Sequence, residues 1–186
     1  LGVGFSGSWW SFPERDGAGK TIGINRRFQN GDKRQVKGSS RGLTYADDWN
    51  TGNGPLLLVE GGSDTAAILT MGLSAVGRPS NMGGVALLVE LLKDFDRDII
   101  VIGEHDEKPD GSCPGQSGAI STATKLSELL HRTITWSMPP GDAKDSRSWL
   151  KSNGCDGQEF LAGLDLQVIE PPRVFIPPTD VREIIE

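Results

Sequence analysis

Cysteine and histidine are scarce in this chain of 186 residues, which has only two of each. Two cysteines cannot form a disulfide framework or a four-cysteine zinc site, so we expect carboxylates to hold any divalent metal. No apolar run reaches the roughly 20 residues of a membrane span, and the first residues lack the basic and apolar regions of a signal peptide. These absences predict a cytoplasmic globular protein without a membrane partner.

Charge is distributed unevenly along the chain. Charged residues make up 24% of the sequence and hydrophobic residues 36%, which suits a packed core and excludes a disordered or fibrous chain. The net charge is -6, yet residues 17–45 contain seven lysines and arginines against one aspartate. This pattern predicts a basic surface that meets a polyanion, beside an acidic body that holds cations. A solvated basic hairpin without a ligand is the alternative.

Two sequence patterns divide the chain. Within residues 1–50, aromatic and β-branched segments with an Asn-Gly turn predict a small β-rich subdomain that carries the basic residues. Within residues 51–168, apolar runs alternate with segments of helical composition, which predicts an α/β domain with a mostly parallel sheet flanked by helices. In such domains ligands lie beyond the carboxyl ends of the strands. The proline-rich residues 169–186 indicate an extended tail or linker.

The expected elements can be placed to within a few residues. In the first part of the chain we expect strands at residues 8–13 and 21–28. In the second part we expect strands at residues 56–59, 74–76, 99–102 and 133–136, helices at residues 63–71, 85–92, 119–130, 146–150 and 158–161, and a loop at residues 108–117.

Two glycine-rich segments resemble nucleotide-binding motifs but lack the context of those motifs. Residues 2–7 fit G-x-G-x-x-G, yet no strand is expected before them and no helix after them. Residues 17–21 resemble the end of a phosphate-binding loop, yet Glu14 stands where the first glycine belongs and a strand follows. We therefore interpret residues 17–21 as a hairpin turn and assign neither segment to a nucleotide.

Acidic residues occur where the predicted strands end. Glu60 follows the run at residues 56–59, and the two glycines after it permit a tight turn in which Ser63 can cap the next helix. Glu104 and Asp106 follow the run at residues 99–102. In extended backbone their i, i+2 spacing directs both side chains to the same side.

A third acidic pair, Asp142 and Asp145, comes after the next predicted strand. Because the strands are expected to be parallel, all of these carboxylates could gather at one edge of the sheet. Crowded carboxylates repel one another unless a cation neutralises them, and Mg²⁺ or Mn²⁺ takes oxygen ligands. The alternative is that each acid caps a helix, an interpretation that fits Asp64 best because it lies in the first helical turn.

The residues around Glu60 resemble the first motif of the TOPRIM domain, which primases, type IA and II topoisomerases, OLD-family nucleases and RecR proteins share. The matching segments are residues 57–67 and 72–80, and the run Glu104-His105-Asp106 resembles the Asp-x-Asp motif of the family. The first acid of that motif is a glutamate here, and an insertion over residues 108–116 follows it. Segments at residues 10–14, 23–27 and 37–43 resemble the basal segment of phage- and plasmid-type primases and primase-helicases.

This resemblance implies the catalytic core of a DNA primase, which makes RNA primers on single-stranded DNA by metal-dependent transfer from nucleoside triphosphates. It also implies a replicative helicase as partner, in cis or in trans. The implied catalytic residues are Glu60, Glu104 and Asp106, and the implied ligands of Mg²⁺ or Mn²⁺ are Glu60, Glu104, Asp106, Asp145 and Asp142. The residues assigned to nucleotide or DNA binding are Arg26, Arg27, Lys37, Arg41 and Lys144. We expect His105 to orient its neighbours or to be exposed.

Other functions stay open at this point. A TOPRIM nuclease could use the same acids to cleave a phosphodiester, and a binding module could hold single-stranded DNA without chemistry. A topoisomerase also needs a nucleophilic tyrosine, and Tyr45, the single tyrosine, lies in a turn-like stretch beside two aspartates. We expect Trp9, Trp10 and Phe12 to pack in the core rather than to stack on bases.

Overall fold

The computed structural model describes residues 1–173. The first unit is an antiparallel sheet with the strand order β1-β2-β3-β4. Its strands are β1 (Gly4–Phe5), β2 (Trp9–Arg15), β3 (Thr21–Phe28) and β4 (Lys33–Gln35). Its strands contain four of the seven basic residues of residues 17–45, and the sheet matches the β-rich subdomain that the sequence predicts.

Tight turns connect the strands of this first sheet. Between β2 and β3, the Asp16 carboxylate accepts hydrogen bonds from the backbone N–H groups of Ala18 and Lys20, and Gly19 has a φ of 90°. Between β3 and β4, Gly31 has a φ of 92°, a conformation that favours glycine. Residues 17–21 therefore form the expected hairpin turn rather than a phosphate-binding loop.

The second unit is a six-stranded sheet with the order β10-β9-β8-β6-β7-β5. Its strands are β5 (Thr44–Tyr45), β6 (Leu56–Glu60), β7 (Ser74–Arg78), β8 (Ile99–Ile102), β9 (Ile134–Ser137) and β10 (Gln167–Ile169). The four central strands are parallel, and the two edge strands are antiparallel to their neighbours. The helices are α1 (Gly61–Thr70), α2 (Val85–Leu92), α3 (Pro114–Leu130), α4 (Ser146–Asn153) and α5 (Gly157–Ala162).

Helices cover both faces of this mostly parallel sheet. In β6, Leu56 and Leu58 pack with residues of α2 and α3, whereas Leu57 and Val59 pack with residues of α1, α4 and α5. A strand that is buried on both faces has a continuous apolar sequence instead of an alternating one. The α/β fold class that the sequence predicts is confirmed.

Several boundaries differ from those expected. Helix α3 begins at Pro114, so part of the expected loop at residues 108–117 is helical, because proline is well tolerated in the first turn of a helix. Helix α1 begins at Gly61 and Glu60 is its N-cap residue, so the expected cap at Ser63 is wrong. Strands β5 and β10 were not expected, because two or three residues give too short a pattern to detect.

Residues from 174 onward, which include most of the expected tail, lie outside the described residues. Within residues 1–173, no helix combines the length and the apolar character needed to cross a bilayer.

Candidate active site

The candidate site lies at the carboxyl edge of the parallel sheet. Glu60 ends β6, Glu104 lies two residues beyond β8, and Asp145 is the N-cap residue of α4, which follows β9. Strands β6, β8 and β9 are neighbours in the sheet, so their carboxyl ends lie side by side. The fold therefore brings acids from three separate parts of the chain to one edge, as the sequence predicts.

Glu104 lies at the centre of the acidic cluster. Its pKa is raised to about 7, first by burial and then by the negative charges of Glu60, Asp64 and Asp145. The charge of Lys33 lowers the pKa and partly opposes this effect. Burial and these three negative charges thus disfavour the ionised form of Glu104. We refer to Glu60, Asp64, Glu104 and Asp145 as the acidic cluster.

Asp64 belongs to this cluster, although its place in the first helical turn had suggested only a favourable contact with the helix dipole. Its side chain is buried, and its pKa is raised to about 6 by burial and by the charge of Asp145. The backbone N–H of Arg147 donates to the Asp64 carboxylate at 3.0 Å, and this hydrogen bond partly lowers the raised pKa. The signal in the sequence is the position of Asp64 in the first turn of the helix that follows Glu60.

Asp145 combines a structural role with its position in the cluster. Its carboxylate accepts the backbone N–H of Ser148 at 2.7 Å, and the Ser148 hydroxyl accepts the backbone N–H of Asp145 at 2.9 Å. This capping box stabilises the start of α4. The second carboxylate oxygen lies 3.4 Å from the Arg147 guanidinium. Asp142, in contrast, is exposed.

Asp106 is turned toward the start of α3. The backbone N–H of Asp106 donates to the Glu104 carbonyl at 3.1 Å, so the extended backbone expected over residues 104–106 is wrong. The Asp106 carboxylate accepts the backbone N–H of Gly115 at 2.7 Å, and its other oxygen lies 3.9 Å from the Lys108 ammonium. A Cβ atom at Gly115 would lie 2.4 Å from the Glu104 carbonyl oxygen, so this contact requires glycine.

Two basic residues of the first sheet face the acidic cluster. The Arg27 guanidinium donates to the Ser63 hydroxyl at 3.2 Å. Burial lowers the pKa of Arg27, and the negative charges of Asp64, Asp145 and Glu104 partly oppose this effect. Lys33 pairs with Arg27 across β3 and β4, and its charge lowers the pKa of Asp64. Lys33 was not among the expected residues. Its register opposite Arg27 across the Asn-Gly hairpin is the signal that could have identified it.

The other basic residues expected to bind nucleotide or DNA are spread over the surface. Arg41 donates to the Glu14 carboxylate at 3.0 Å and to the Pro79 carbonyl, and it lines a cleft with Arg27 beside the start of α1. The guanidinium of Arg26 lies over an aromatic ring on the other face of the first sheet. The remaining two, Lys37 and Lys144, are exposed.

Arg78 is a site residue that the sequence analysis missed. It lies opposite Glu60 in the pairing of β6 with β7, and its side chain is almost completely buried. It donates to the Ile102 carbonyl at 2.9 Å and to the Thr122 hydroxyl at 3.2 Å. Burial lowers its pKa to about 10, while the charges of Glu60 and Glu104 oppose this shift. Arg78 therefore places a buried positive charge beneath the acidic cluster.

Tyr45 is poorly placed to act as a nucleophile. It lies in strand β5 rather than in a turn, and its side chain is buried. Its hydroxyl donates to the Asp16 carbonyl at 3.1 Å, and burial raises its pKa above the usual value. A topoisomerase reaction through Tyr45 is therefore disfavoured.

The acidic cluster has the donor atoms of a site for a hard divalent cation but not the closed geometry of one. Within residues 1–173, no three acidic, histidine or cysteine side chains converge closely enough to ligate one ion. The four acids offer only oxygen donors, which Mg²⁺ and Mn²⁺ prefer. The raised pKa values of Glu104 and Asp64 indicate that a nearby cation would stabilise their ionised forms.

In metal-free protein, we expect the contribution of Glu104 and Asp64 to stability to fall as the pH rises from about 4 to about 7. In this window both carboxyls are ionised in the unfolded chain but still hold protons in the folded chain, so unfolding releases protons and rising pH favours it. Urea denaturation in EDTA at pH 5 and pH 7.5 measures this effect. Asp64→Asn should flatten the pH dependence, and a slope equal to that of the wild type would contradict the expectation.

Comparisons with known proteins give structural matches only. No family model matches the sequence, and no curated protein matches it. Among solved structures, a DNA primase domain from Pseudomonas aeruginosa matches with a TM-score of 0.64 and 18% identity, over 87% of this chain and 52% of that one. A DnaG primase catalytic domain bound to single-stranded DNA matches with a TM-score of 0.61 and 20% identity, over 84% of this chain and 52% of that one.

A phage structure matches as well. The primase fragment of the bacteriophage T7 primase-helicase has a TM-score of 0.54 and 15% identity, over 84% of this chain and 64% of that one. The chain thus spans about half the length of the bacterial primase domains and about two thirds of the phage fragment. The chain has the fold of bacterial and phage primase catalytic cores, and the resemblance to a primase TOPRIM domain that the sequence indicated is confirmed at the level of the fold.

Proposed function

We propose that this chain is the catalytic core of a DNA primase that synthesises RNA primers on single-stranded DNA by metal-dependent nucleotidyl transfer. The observation that carries this proposal is the acidic cluster at the carboxyl edge of a primase-type sheet, which faces Arg27 and Lys33. In this proposal residues 1–50 form a basal subdomain, residues 51–168 the catalytic domain and residues 169–186 a linker. The edge strand β5 joins the sheet of the catalytic domain.

In this proposal most of the acids bind cations and one handles a proton. Glu104, Asp106 and Asp145 hold divalent cations, and the buried Asp64 adds a fourth carboxylate. When bound, Mg²⁺ or Mn²⁺ would supply charge neutralisation and orientation of the phosphates during transfer. Glu60 handles the proton of the attacking 3′-hydroxyl or supports the cations. Asp142 is exposed and contributes at most from the rim of the site.

The basic residues provide the opposite charge for the nucleotide and the template. Arg27 and Arg41 line the cleft beside the start of α1, together with Lys33. A triphosphate bound at this cleft would meet the positive charge of these residues beside the start of α1, directly after Glu60. Arg26, Lys37 and Lys144 extend the positive surface toward the template in this proposal.

Partners are proposed from the neighbours. One structural neighbour is bound to single-stranded DNA, and another is part of a primase-helicase. By analogy with the primase-helicase neighbour, we propose that this chain acts within a larger primase-helicase or with a helicase in trans.

Incorporation of labelled nucleotides on a single-stranded template with Mg²⁺ or Mn²⁺ tests the proposed function. Asp106→Ala and Glu60→Gln should lose dinucleotide synthesis, and full synthesis by both variants would contradict the assignment. Cleavage of labelled DNA without incorporation would instead identify a nuclease. DNA binding with neither activity, and without saturable Mn²⁺ uptake in calorimetry, would identify a binding module.

Arg27→Ala should weaken the affinity for single-stranded DNA and reduce the salt dependence of that affinity by about one ion. The expected reason is the loss of one phosphate contact at the edge of the acidic cluster. Fluorescence anisotropy of a labelled oligonucleotide over a range of salt concentrations measures the slope. Lys93→Ala, at the exposed end of α2, is the matched control and should keep the wild-type slope. Equal slopes for the two variants would exclude Arg27 from the DNA-binding surface.

A further inference from the structure

Two aromatic side chains at one end of the first sheet are half exposed. The exposed fraction is 52% for Phe5 and 47% for Trp10, and their ring centroids lie 4.3 Å apart. The expectation that Trp10 packs in the core is therefore wrong, whereas Phe12 is buried against Gly62 at the start of α1. Exposed aromatic pairs on a soluble domain commonly indicate a binding surface.

Strand pairing places this aromatic pair in line with the basic residues that face the acidic cluster. Phe5 lies opposite Trp10, Trp10 opposite Arg27, and Arg27 opposite Lys33. Residues directly opposite one another share a face of the sheet, so these four form one row across all four strands. The row spans three strand spacings, or about 14 Å. We refer to it as the cross-strand row.

The other face of the same sheet also contains aromatic residues, but cations already cover them. Trp9 and Phe28 have ring centroids 5.5 Å apart. The Arg26 guanidinium lies 5.5 Å from the Trp9 ring, and the Arg34 guanidinium lies 5.2 Å from the Phe28 ring. Within residues 1–173, no such cation lies over Phe5 or Trp10. Among the aromatic residues of this sheet, only those of the cross-strand row are therefore exposed without a cation over the ring.

We propose that Phe5 and Trp10 form a stacking platform for the bases of single-stranded DNA, and that the cross-strand row leads the strand toward the acidic cluster. This inference rests on the proposed function and deepens it, because it names the path of the template. Stacked bases would lie on the aromatic end of the row, and the adjacent phosphates would contact Arg27 and Lys33. Aromatic rings beside a basic track are the combination that binds single strands without sequence preference.

Charge favours DNA over an apolar protein partner at this surface. Arg27 and Lys33 continue the row directly from the aromatic pair, and a polyanion satisfies both parts of the row at once. A purely apolar partner would contact only the aromatic end of the row and would gain nothing from the two cations. Each base stacked on an aromatic side chain contributes about 5-fold to 150-fold in affinity.

Binding of a labelled oligo(dT) and of an abasic oligonucleotide of equal length separates stacking from phosphate contacts. The wild-type chain should bind oligo(dT) at least about fivefold more tightly than the abasic strand. Trp10→Ala should lose this preference and bind both strands with similar affinity, whereas Trp10→Phe should keep most of it. Fluorescence anisotropy measures the affinity of each protein for each oligonucleotide, and circular dichroism checks that each variant is folded.

The control variant lies on the opposite face of the same sheet. Phe28→Ala removes an aromatic ring from a strand that pairs with β2, and it should keep the preference for oligo(dT). Equal losses in Trp10→Ala and Phe28→Ala would overturn the proposal, as would a wild-type chain that binds the two oligonucleotides equally.

Failure of the platform and failure of the proposed enzyme give different results. If nucleotide incorporation is present but Trp10→Ala binds DNA like the wild type, the platform is wrong and the enzyme stands. If incorporation is absent but base-dependent binding needs Trp10, the platform stands and the enzymatic proposal is wrong.

Discussion

Glu104→Gln should reduce metal-dependent nucleotide incorporation by at least about 100-fold and should weaken Mn²⁺ uptake. The amide cannot neutralise a cation, and Glu104 is the acid whose pKa responds to all three other members of the acidic cluster. Incorporation on a single-stranded template and calorimetric titration with Mn²⁺ measure the two effects. The same variant should stabilise the metal-free chain at pH 8, because it removes a buried charge from a group of like charges.

Asp98→Asn is the matched control for this prediction. Asp98 is an exposed aspartate that directly precedes β8, and its carbonyl accepts the backbone N–H of Leu56 at the amino end of β6. It therefore lies at the opposite edge of the sheet from Glu104, and its replacement should leave incorporation and Mn²⁺ uptake unchanged. Wild-type Mn²⁺ uptake by Glu104→Gln would show that the acidic cluster does not hold the metal.

Arg78→Met should lower the free energy of unfolding by about 3 kcal/mol or more. Methionine fills part of the volume but leaves the buried Ile102 carbonyl and Thr122 hydroxyl without this donor. It also removes the buried positive charge that offsets the charges of Glu60 and Glu104. Urea denaturation of the wild type and the variant at the same pH measures the difference.

Arg34→Ala is the comparison for Arg78. Arg34 is an exposed arginine whose ion pair with Asp32 has an N–O distance of 3.1 Å, and surface pairs of this kind contribute at most about 1 kcal/mol. A loss for Arg78→Met as small as that for Arg34→Ala would show that neighbouring groups replace the hydrogen bonds of Arg78.

The sequence was sufficient to predict the fold and the edge of the sheet where the acids meet. An unbroken apolar run such as that of β6 indicates a strand covered on both faces, and parallel strands necessarily bring the residues that follow them to one edge. Glu60 and Glu104 could therefore be placed together without coordinates. Their proximity follows from the geometry of a parallel sheet and not from details of side-chain packing.

Other site residues depend on packing that a single sequence does not reveal. Asp64 is buried because α4 lies against α1 and the N–H of Arg147 reaches its carboxylate. The burial of Arg78 depends on Thr122, which is 44 positions away along the chain. The exposure of Trp10 follows from its position beyond the part of β2 that packs on α1. A local sequence pattern does not show which distant segments pack together. The burial of Asp64 and Arg78 and the exposure of Trp10 therefore became visible only in the structure.

The hydrogen bond between Asp106 and the start of α3 fixes one end of a long helix. Helix α3 has 17 residues and is about 25 Å long, and near its other end the Ser127 hydroxyl donates to the Ile169 carbonyl in the last described strand. A helix of this length behaves as a stiff rod. Helix α3 therefore links the loop of Glu104 and Asp106 at one end with strand β10 at the other.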